Sequence, residues 1–379
     1  METSRMPEFK KHRIPCLLLL ILFTAGLATS GSASAEPKPV LMEARRIWDK
    51  GNYNAFTDLV RFRDRWFCCF REGLEHAGDD GKVRVLQSDD GLEWTSAALI
   101  EEAGVDLRDP KFSVKPDGQL MIVAGGTVWR DDSETPLQKS KHTRAIFSDD
   151  GLVWSAPQKI FEEDHWLWRI DWHEGKAYGI AYPYKRAAHP DPKIAEAAEA
   201  DGPVPTGPYD WKPKLVTSTD GLHWEVVTHL DIPGRPNEAT VRVRRDGEMI
   251  ALVRRERGTY FGWIGVSQSP YKEWTWHETE HRLGGPNFIV LPDDSLIAAG
   301  RKYRDPFSTV VASMDREHYD VQLILPSGGS DTGYPGMVWH EGELWVSYYS
   351  SHEDKEGNPP PNRHTALPTA IYIARVKLE

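Results

Sequence analysis

Cysteine is nearly missing from this chain. Of three in 379 residues, one falls in an apolar run near the N-terminus, and only Cys68 and Cys69 stand in the body. They are neighbours in the strand-like run RWFCCFR (65–71), so their side chains point to opposite faces. Two buried thiols are expected, and stability has to come from the core. Helical pattern is scarce as well: beyond KIAEAAEA (193–200) no stretch carries it, which argues against an α/β solenoid. Positive charge is in deficit, with 46 Lys and Arg against 57 Asp and Glu and a net charge of −11. That excludes the electrostatic footprint of a nucleic-acid or anionic-membrane binder, so any anionic ligand needs a local cluster of Arg. The 14 His are scattered without zinc-ligand spacing, and no metal or cofactor is expected.

Long apolar runs are limited to one, CLLLLILFTAGLA at 16–28. Its 13 residues fall short of the roughly 20 needed to span a bilayer. Lys10, Lys11 and Arg13 precede it, and a small-residue stretch ending ASA at 33–35 follows. This is the layout of a secretory signal peptide, and it predicts cleavage after Ala35, a secreted or periplasmic location, and no membrane span in the mature chain. Removing residues 1–35 takes away four Lys or Arg and two Glu, moving the charge from −11 to −13.

Aromatics, by contrast, are abundant: 15 Trp and 13 Tyr, side chains that fill cores and make platforms for sugar rings. A repeat is present too. SDDGLEW at 88–94 returns as SDDGLVW at 148–154 and STDGLHW at 218–224, with degenerate copies from Ser267 and Ser313. About 20 residues after each copy a new apolar segment opens. Short polar turns such as PDG (116–118), HEG (173–175) and RDG (245–247) split alternating apolar runs, the pattern of β-hairpins. Six such four-stranded units, each of about fifty residues, make residues 36–379 a single all-β domain, a six-bladed β-propeller. The sixth unit runs out at the C-terminus, and the run at 40–49 is placed as its missing outer strand, closing the ring.

In S-x-D-G-x-x-W, the Ser and Asp oxygens can accept hydrogen bonds from the turn's own N–H groups, Gly supplies a positive φ, and Trp folds back between blades. Asp90, Asp150 and Asp220 are therefore read as structural. These copies resemble the Asp-box repeats of the sialidase superfamily, a resemblance that covers the whole mature chain.

Spacing locates a working face. From first-strand start to second-strand end the units are regular, while insertions fall at about 73–83, 127–142 and 184–212, on the face opposite the repeated turns. First-strand starts there supply Asn54, Arg108, Asp109, Trp168, Arg169, Asn237, Glu238, Asn287 and Tyr334. Second-strand ends supply Arg71, Arg255 and Arg301, which suggest a cationic clamp for a carboxylate or sulfate, since guanidinium grips such groups bidentately. The competing reading of Arg71-Glu72 and Arg255-Glu256 is internal ion pairing.

The resemblance extends to this face. NEATVRVRRDG is similar to the segment that carries the sialidase glutamate, which implies that role for Glu238. GYPG is similar to the segment of the tyrosine nucleophile, which implies Tyr334. Arg255 or Arg254, with Arg301, stand where two members of the arginine triad belong. The departure is in blade 1, where Asn54-Ala55-Phe56 replaces Arg-Ile-Pro and Arg71 is offered as a substitute. The resemblance puts the acid/base in the blade 1 insertion, where Glu75, His76, Asp79 and Asp80 compete. LRDPK (107–111) resembles instead the Arg-Asp-Pro motif of five-bladed glycosidases, making Asp109 with Glu238 an alternative carboxylate pair.

The expectation is a secreted, exo-acting glycoside hydrolase that takes a terminal acidic sugar from a glycan, with Trp168 stacking on the ring. A glycosidase or lyase for uronic or sulfated sugars, and a non-catalytic glycan-binding propeller, are the rival readings.

Overall fold

Every hairpin signal resolves into an antiparallel pair in the computed structural model, which describes Met1 and residues 38–129, 138–183, 211–303, 307–329, 331–353 and 368–379. The first strand, β1 (Pro39–Trp48), leads into blade 1: β2 (Tyr53–Phe62), β3 (Arg65–Gly73), β4 (Lys82–Ser88) and β5 (Thr95–Ile100). Blade 2 is β6 (Asp106–Val114), β7 (Leu120–Trp129), β8 (Gln138–Ser148) and β9 (Gln158–Lys159). Blade 3 is β10 (His165–His173), β11 (Lys176–Pro183), β12 (Lys214–Ser218) and β13 (Glu225–His229). Blade 4 is β14 (Pro236–Val243), β15 (Met249–Arg255), β16 (Phe261–Ser267) and β17 (Thr275–Arg282). Blade 5 is β18 (Asn287–Val290), β19 (Leu296–Lys302), β20 (Ser308–Met314) and β21 (Tyr319–Ile324). Blade 6 is β22 (Thr332–His340), β23 (Glu343–Ser350) and β24 (Ala370–Leu378), completed by β1.

The protein is thus a six-bladed β-propeller, with no helix among the described residues. β1 pairs with β24 from Pro39↔Leu378 to Trp48↔Ile371, so the N-terminal strand closes the ring as expected. Residues 2–35 of the expected signal peptide, the helical pattern at 193–200 and parts of the second and third insertions lie outside the described residues.

Alternation along each strand sends apolar side chains into the seams between neighbouring blades. Phe67, Cys69, Val83 and Val85 of blade 1 meet Leu107, Phe112, Leu120 and Ile122 of blade 2, and Ile180 and Leu215 of blade 3 meet Val241, Ala251 and Val253 of blade 4. Cys68 and Cys69 are both buried and free, and they belong to different clusters, as opposite faces of one strand require.

The repeated turns make the same bonds three times. Ser88 Oγ accepts the Gly91 N–H at 2.8 Å, Asp90 Oδ1 accepts those of Leu92 and Glu93, and Trp94 Nε1 donates to the Gly91 carbonyl. Ser148 with Asp150, and Ser218 with Asp220, repeat the set. The register puts these turns at one end of each blade: Ser88 lies opposite Trp66, and Asn54 opposite Glu72 marks the other end.

Candidate active site

At that other end, five of the six innermost strands carry a β-bulge, where two residues face one across the ladder. The bulged pairs are Phe56-Thr57, Asp109-Pro110, Trp168-Arg169, Asn237-Glu238 and Tyr334-Pro335. Phe56, Asp109 and Tyr334 hold φ at +64°, +50° and +53°. That is the left-handed region, which costs a non-glycine residue of order 1–3 kcal/mol and clusters at functional sites. The bulges re-aim these side chains into a cleft of about 690 Å³ lined by Phe56, Asp109, Asn237, Glu238 and Tyr334.

Tyr334 and Glu238 meet there. The Tyr334 hydroxyl donates to Glu238 Oε1 at 2.7 Å, and Arg254 Nη1 reaches both, 2.6 Å from Oε1 and 2.9 Å from the phenol oxygen. Glu238 Oε2 accepts the Gly285 N–H at 2.8 Å, so the carboxylate is fully engaged. Gly285 is required here: a Cβ on it would stand 2.5 Å from Tyr334 Cγ. Burial, and next the Glu238 charge, push the Tyr334 phenol well above its ordinary pKa, while Arg254 and Arg301 pull it down. Arg301 lies 4.9 Å from the centre of the Tyr334 ring.

Asp109 supplies a second kind of carboxyl. It is only 3 % exposed, and its Oδ1 has no hydrogen-bond partner among the described residues. Burial raises its pKa to about 6 against the opposing charges of Lys111, Arg108 and Lys141. A carboxyl that holds its proton near neutrality can act as a general acid.

Of the remaining expected residues, Arg108, His76 and Asn237 also line the cleft. Arg108 donates to the His76 carbonyl and to Asp106 Oδ2, and its guanidinium lies 5.0 Å from the Phe56 ring centre. The His76 imidazole turns Nδ1 to the Tyr53 hydroxyl at 2.7 Å and to Asp331 at 3.2 Å.

Several expected residues stand elsewhere, each for a physical reason. Arg71 is fully buried and saturated by Asp106, Asp79 and the Glu75 carbonyl, all at 2.6 Å, so it closes the blade 1 insertion instead of clamping a ligand. Asp79 is consumed by that same bond and by the Leu74 N–H, while Asp80 accepts the Gly104 N–H. Arg255 points away from the cleft to Glu278 at 2.5 Å and stacks on Trp263. Arg254, one residue earlier on the alternating strand, faces the cleft. Arg301 sits behind Tyr334, tied to Asp331 and to the Tyr349 hydroxyl.

Trp168 packs edge-on against Tyr334 at 5.7 Å as support, not as an open platform. Arg169 donates one nitrogen to both Asp58 oxygens at 2.9 Å in the buried channel. Asn54 ties blade 1 to the start of the last strand through the Thr369 carbonyl, and Asn287 donates to the Pro335 carbonyl beside Tyr334.

Sequence spacing did not reach Trp166, Tyr182, Arg235, Tyr260 and Arg282, which with Glu256, Arg257 and Trp211 of the third insertion complete the lining. Trp211 and Arg235 come together from separate segments, 4.5 Å apart, and no local pattern announces such a pair. Glu256 is a hub of this wall. Burial works against its charge, yet Arg254 and Arg282 hold its pKa below the ordinary value.

The fold is a six-bladed β-propeller. Among solved structures, the chain is similar to a protein of unknown function from Dyadobacter fermentans, with a TM-score of 0.72, 17% identity, and coverage of 90% of this chain and 100% of that one. A Trypanosoma rangeli sialidase bound to the inhibitor DANA aligns at TM-score 0.60 and 12% identity, over 86% of this chain and 55% of that chain. An α-L-arabinofuranosidase from Fusarium graminearum aligns at TM-score 0.60 and 12% identity, over 89% of this chain and 98% of that chain. A scan against protein-family models and a search of curated proteins give no match.

Proposed function

We propose that this protein is an exported, exo-acting glycoside hydrolase that removes a terminal acidic sugar from a glycan. The observation that carries the reading is the 2.7 Å hydrogen bond from Tyr334 to Glu238, with Arg254 against both atoms, at the floor of an arginine-lined cleft. Arg108, Arg235, Arg254, Arg257 and Arg282 outnumber the carboxylates Asp109, Glu238 and Glu256 in the lining, which favours an anionic substrate.

In the first step Tyr334 Oη attacks the anomeric carbon and its proton passes to Glu238. A neutral phenol is a weak nucleophile and needs this base. Asp109 gives its proton to the departing glycosidic oxygen. In the second step a water attacks the glycosyl–tyrosine bond, Asp109 takes the water's proton, and Glu238 returns its own to Tyr334. A phenol also spares the repulsion that a carboxylate nucleophile would meet from an acidic sugar.

A second reading has support in Asp109, whose high pKa and partner-free oxygen suit a two-carboxylate glycosidase acting with Glu238 on a neutral sugar. The two part on substrate. Residues 36–379 would be assayed on a fluorogenic α-sialoside, a β-glucuronide and an α-L-arabinofuranoside, beside Tyr334→Phe and Glu238→Gln. Turnover of an acidic glycoside, reduced about 10³-fold or more in both variants, supports the proposal. Turnover of the arabinofuranoside alone, unaffected by Tyr334→Phe, moves the assignment to the second reading. Tight glycan binding without turnover makes the chain a binding propeller. Export rests on the first 35 residues, and intact mass of the protein recovered outside the cytoplasm, with or without them, tests it.

A further inference from the structure

Tyr303 follows β19 and stands in no motif, yet three guanidinium groups converge on its ring. Arg282 lies 4.1 Å from the ring centre, Arg301 5.6 Å and Arg254 5.7 Å. Each serves the cleft differently. Arg254 bonds to Glu238 and to the Tyr334 phenol. Arg301 backs the Tyr334 ring from its anchor on Asp331. Arg282 lines the cleft, bonds to Glu256 at 2.9 Å, and is covered on another side by Tyr260 at 4.9 Å.

Three like charges this close repel one another. The carboxylates of Glu238, Glu256 and Asp331 offset that repulsion by direct bonds. The electron-rich face of Tyr303 adds an attraction that all three share. The chain has made room for the ring: a Cβ on Gly284 would meet the Tyr303 hydroxyl at 2.5 Å and ring carbons at 2.7 and 2.9 Å. Gly284-Gly285 therefore admits two tyrosines side by side, Tyr303 through the first glycine and Tyr334 through the second.

We propose that Tyr303 is the positioning residue of the anion-reading wall, holding Arg254 and Arg282 at the spacing at which they meet the substrate's acidic group, with Arg282 as the specificity-determining cation. This rests on the acidic-sugar reading above. It replaces the clamp of Arg71, Arg255 and Arg301 expected from sequence spacing with one organised by an aromatic ring.

The test is binding by calorimetry, which needs no turnover. The probes are N-acetylneuraminic acid and glucuronic acid, each as the free acid and as its methyl ester. The wild type is expected to prefer one free acid over its ester by about tenfold or more. Tyr303→Phe keeps the ring and is expected to retain that preference within about twofold, whereas Tyr303→Leu loses most of it. Arg282→Met, which leaves Tyr303 in place, is expected to lose it too, and it covers the case in which Tyr303→Leu does not fold. Equal weakening of acid and ester in Tyr303→Leu, or an unchanged preference in Arg282→Met, overturns the inference while the acidic-sugar reading stands. A wild type without any preference for the acids defeats that reading, and this inference falls with it.

Discussion

The two ends of the propeller use repetition in opposite ways. At the end of the repeated turns, Ser88, Ser148 and Ser218 hold the same backbone N–H group of the same turn at the same 2.8 Å. At the cleft end, equivalent bulges carry Phe56, Asp109, Trp168 and Tyr334 at their first residue and Glu238 at the second of its pair, five different chemistries in one kind of bulge. Where equivalent positions keep one residue type, the atoms satisfy the backbone. Where they diverge into a base, an acid, a phenol and two aromatic walls, the fold is holding groups in place for something outside itself.

The comparison sharpens most in the arginines. Arg71 and Arg255 hold the same register position, each paired with the residue just before a bulge, Ala55 and Pro236, and each is satisfied by carboxylates of its own surroundings. Arg254 faces the cleft. Arg254→Met is expected to lower kcat/KM about 10³-fold, since Glu238 and Tyr334 both lose their cation, with a smaller loss of stability than Arg71→Met because Glu238 and Glu256 line the open cleft. Arg71→Met should do the reverse. It leaves the fully buried Oδ1 of Asp106 without its partner while Arg108 and Trp129 still hold Oδ2, at a cost of about 3 kcal/mol, read by denaturant unfolding. A folded, fully stable Arg71→Met with lost activity would break the distinction.

Asp109 tests the cleft end by pH. As general acid it must be protonated, and with its pKa raised to about 6, kcat/KM should fall about tenfold per pH unit above that value. Asp109→Asn should lower activity about 10²-fold or more and flatten that limb. Stability moves the other way. A carboxyl whose folded pKa lies above its unfolded value contributes stability below the unfolded pKa and loses it as pH rises through the folded one. Asp109→Asn is therefore expected to melt higher than the wild type above pH 6, by on the order of 3 kcal/mol, with the gap closing toward pH 4. Equal melting at pH 8 would remove Asp109 from the acid's role.

The fold was legible in the sequence because hairpin turns, Gly positions and alternation are local, and the unit recurs often enough to be counted. Tyr334, Glu238, Asp109 and Arg108 were legible because first-strand starts lie at constant intervals from the turns. The arginine wall was not. A bulge adds one residue to one strand, and a shift of one residue turns a side chain to the opposite face, so spacing counted in residues selects Arg255 where the geometry selects Arg254. Arg282 and Tyr303 meet from two neighbouring blades, at the end of β17 and just past β19, and that contact exists only once blades 4 and 5 have packed together.

The smallest expected effect lies at the end of the repeated turns, and it decides whether repetition there is purely structural. Ser148 Oγ is buried and accepts the Gly151 N–H at 2.8 Å while donating to Asp150. Ser148→Ala leaves that N–H without its partner, but the Asp150 bonds to Leu152 and Val153 and the Trp154 bond to the Gly151 carbonyl still hold the turn. The loss should be about 1 kcal/mol, roughly 2 °C in melting temperature for a chain of this size. KM and kcat should match the wild type, because blade 2 reaches the cleft only through the opposite end of its strands. A change in kinetic constants larger than the change in stability would mean that the two ends of a blade are coupled, and that the repeated turns do more than close the hairpins they terminate.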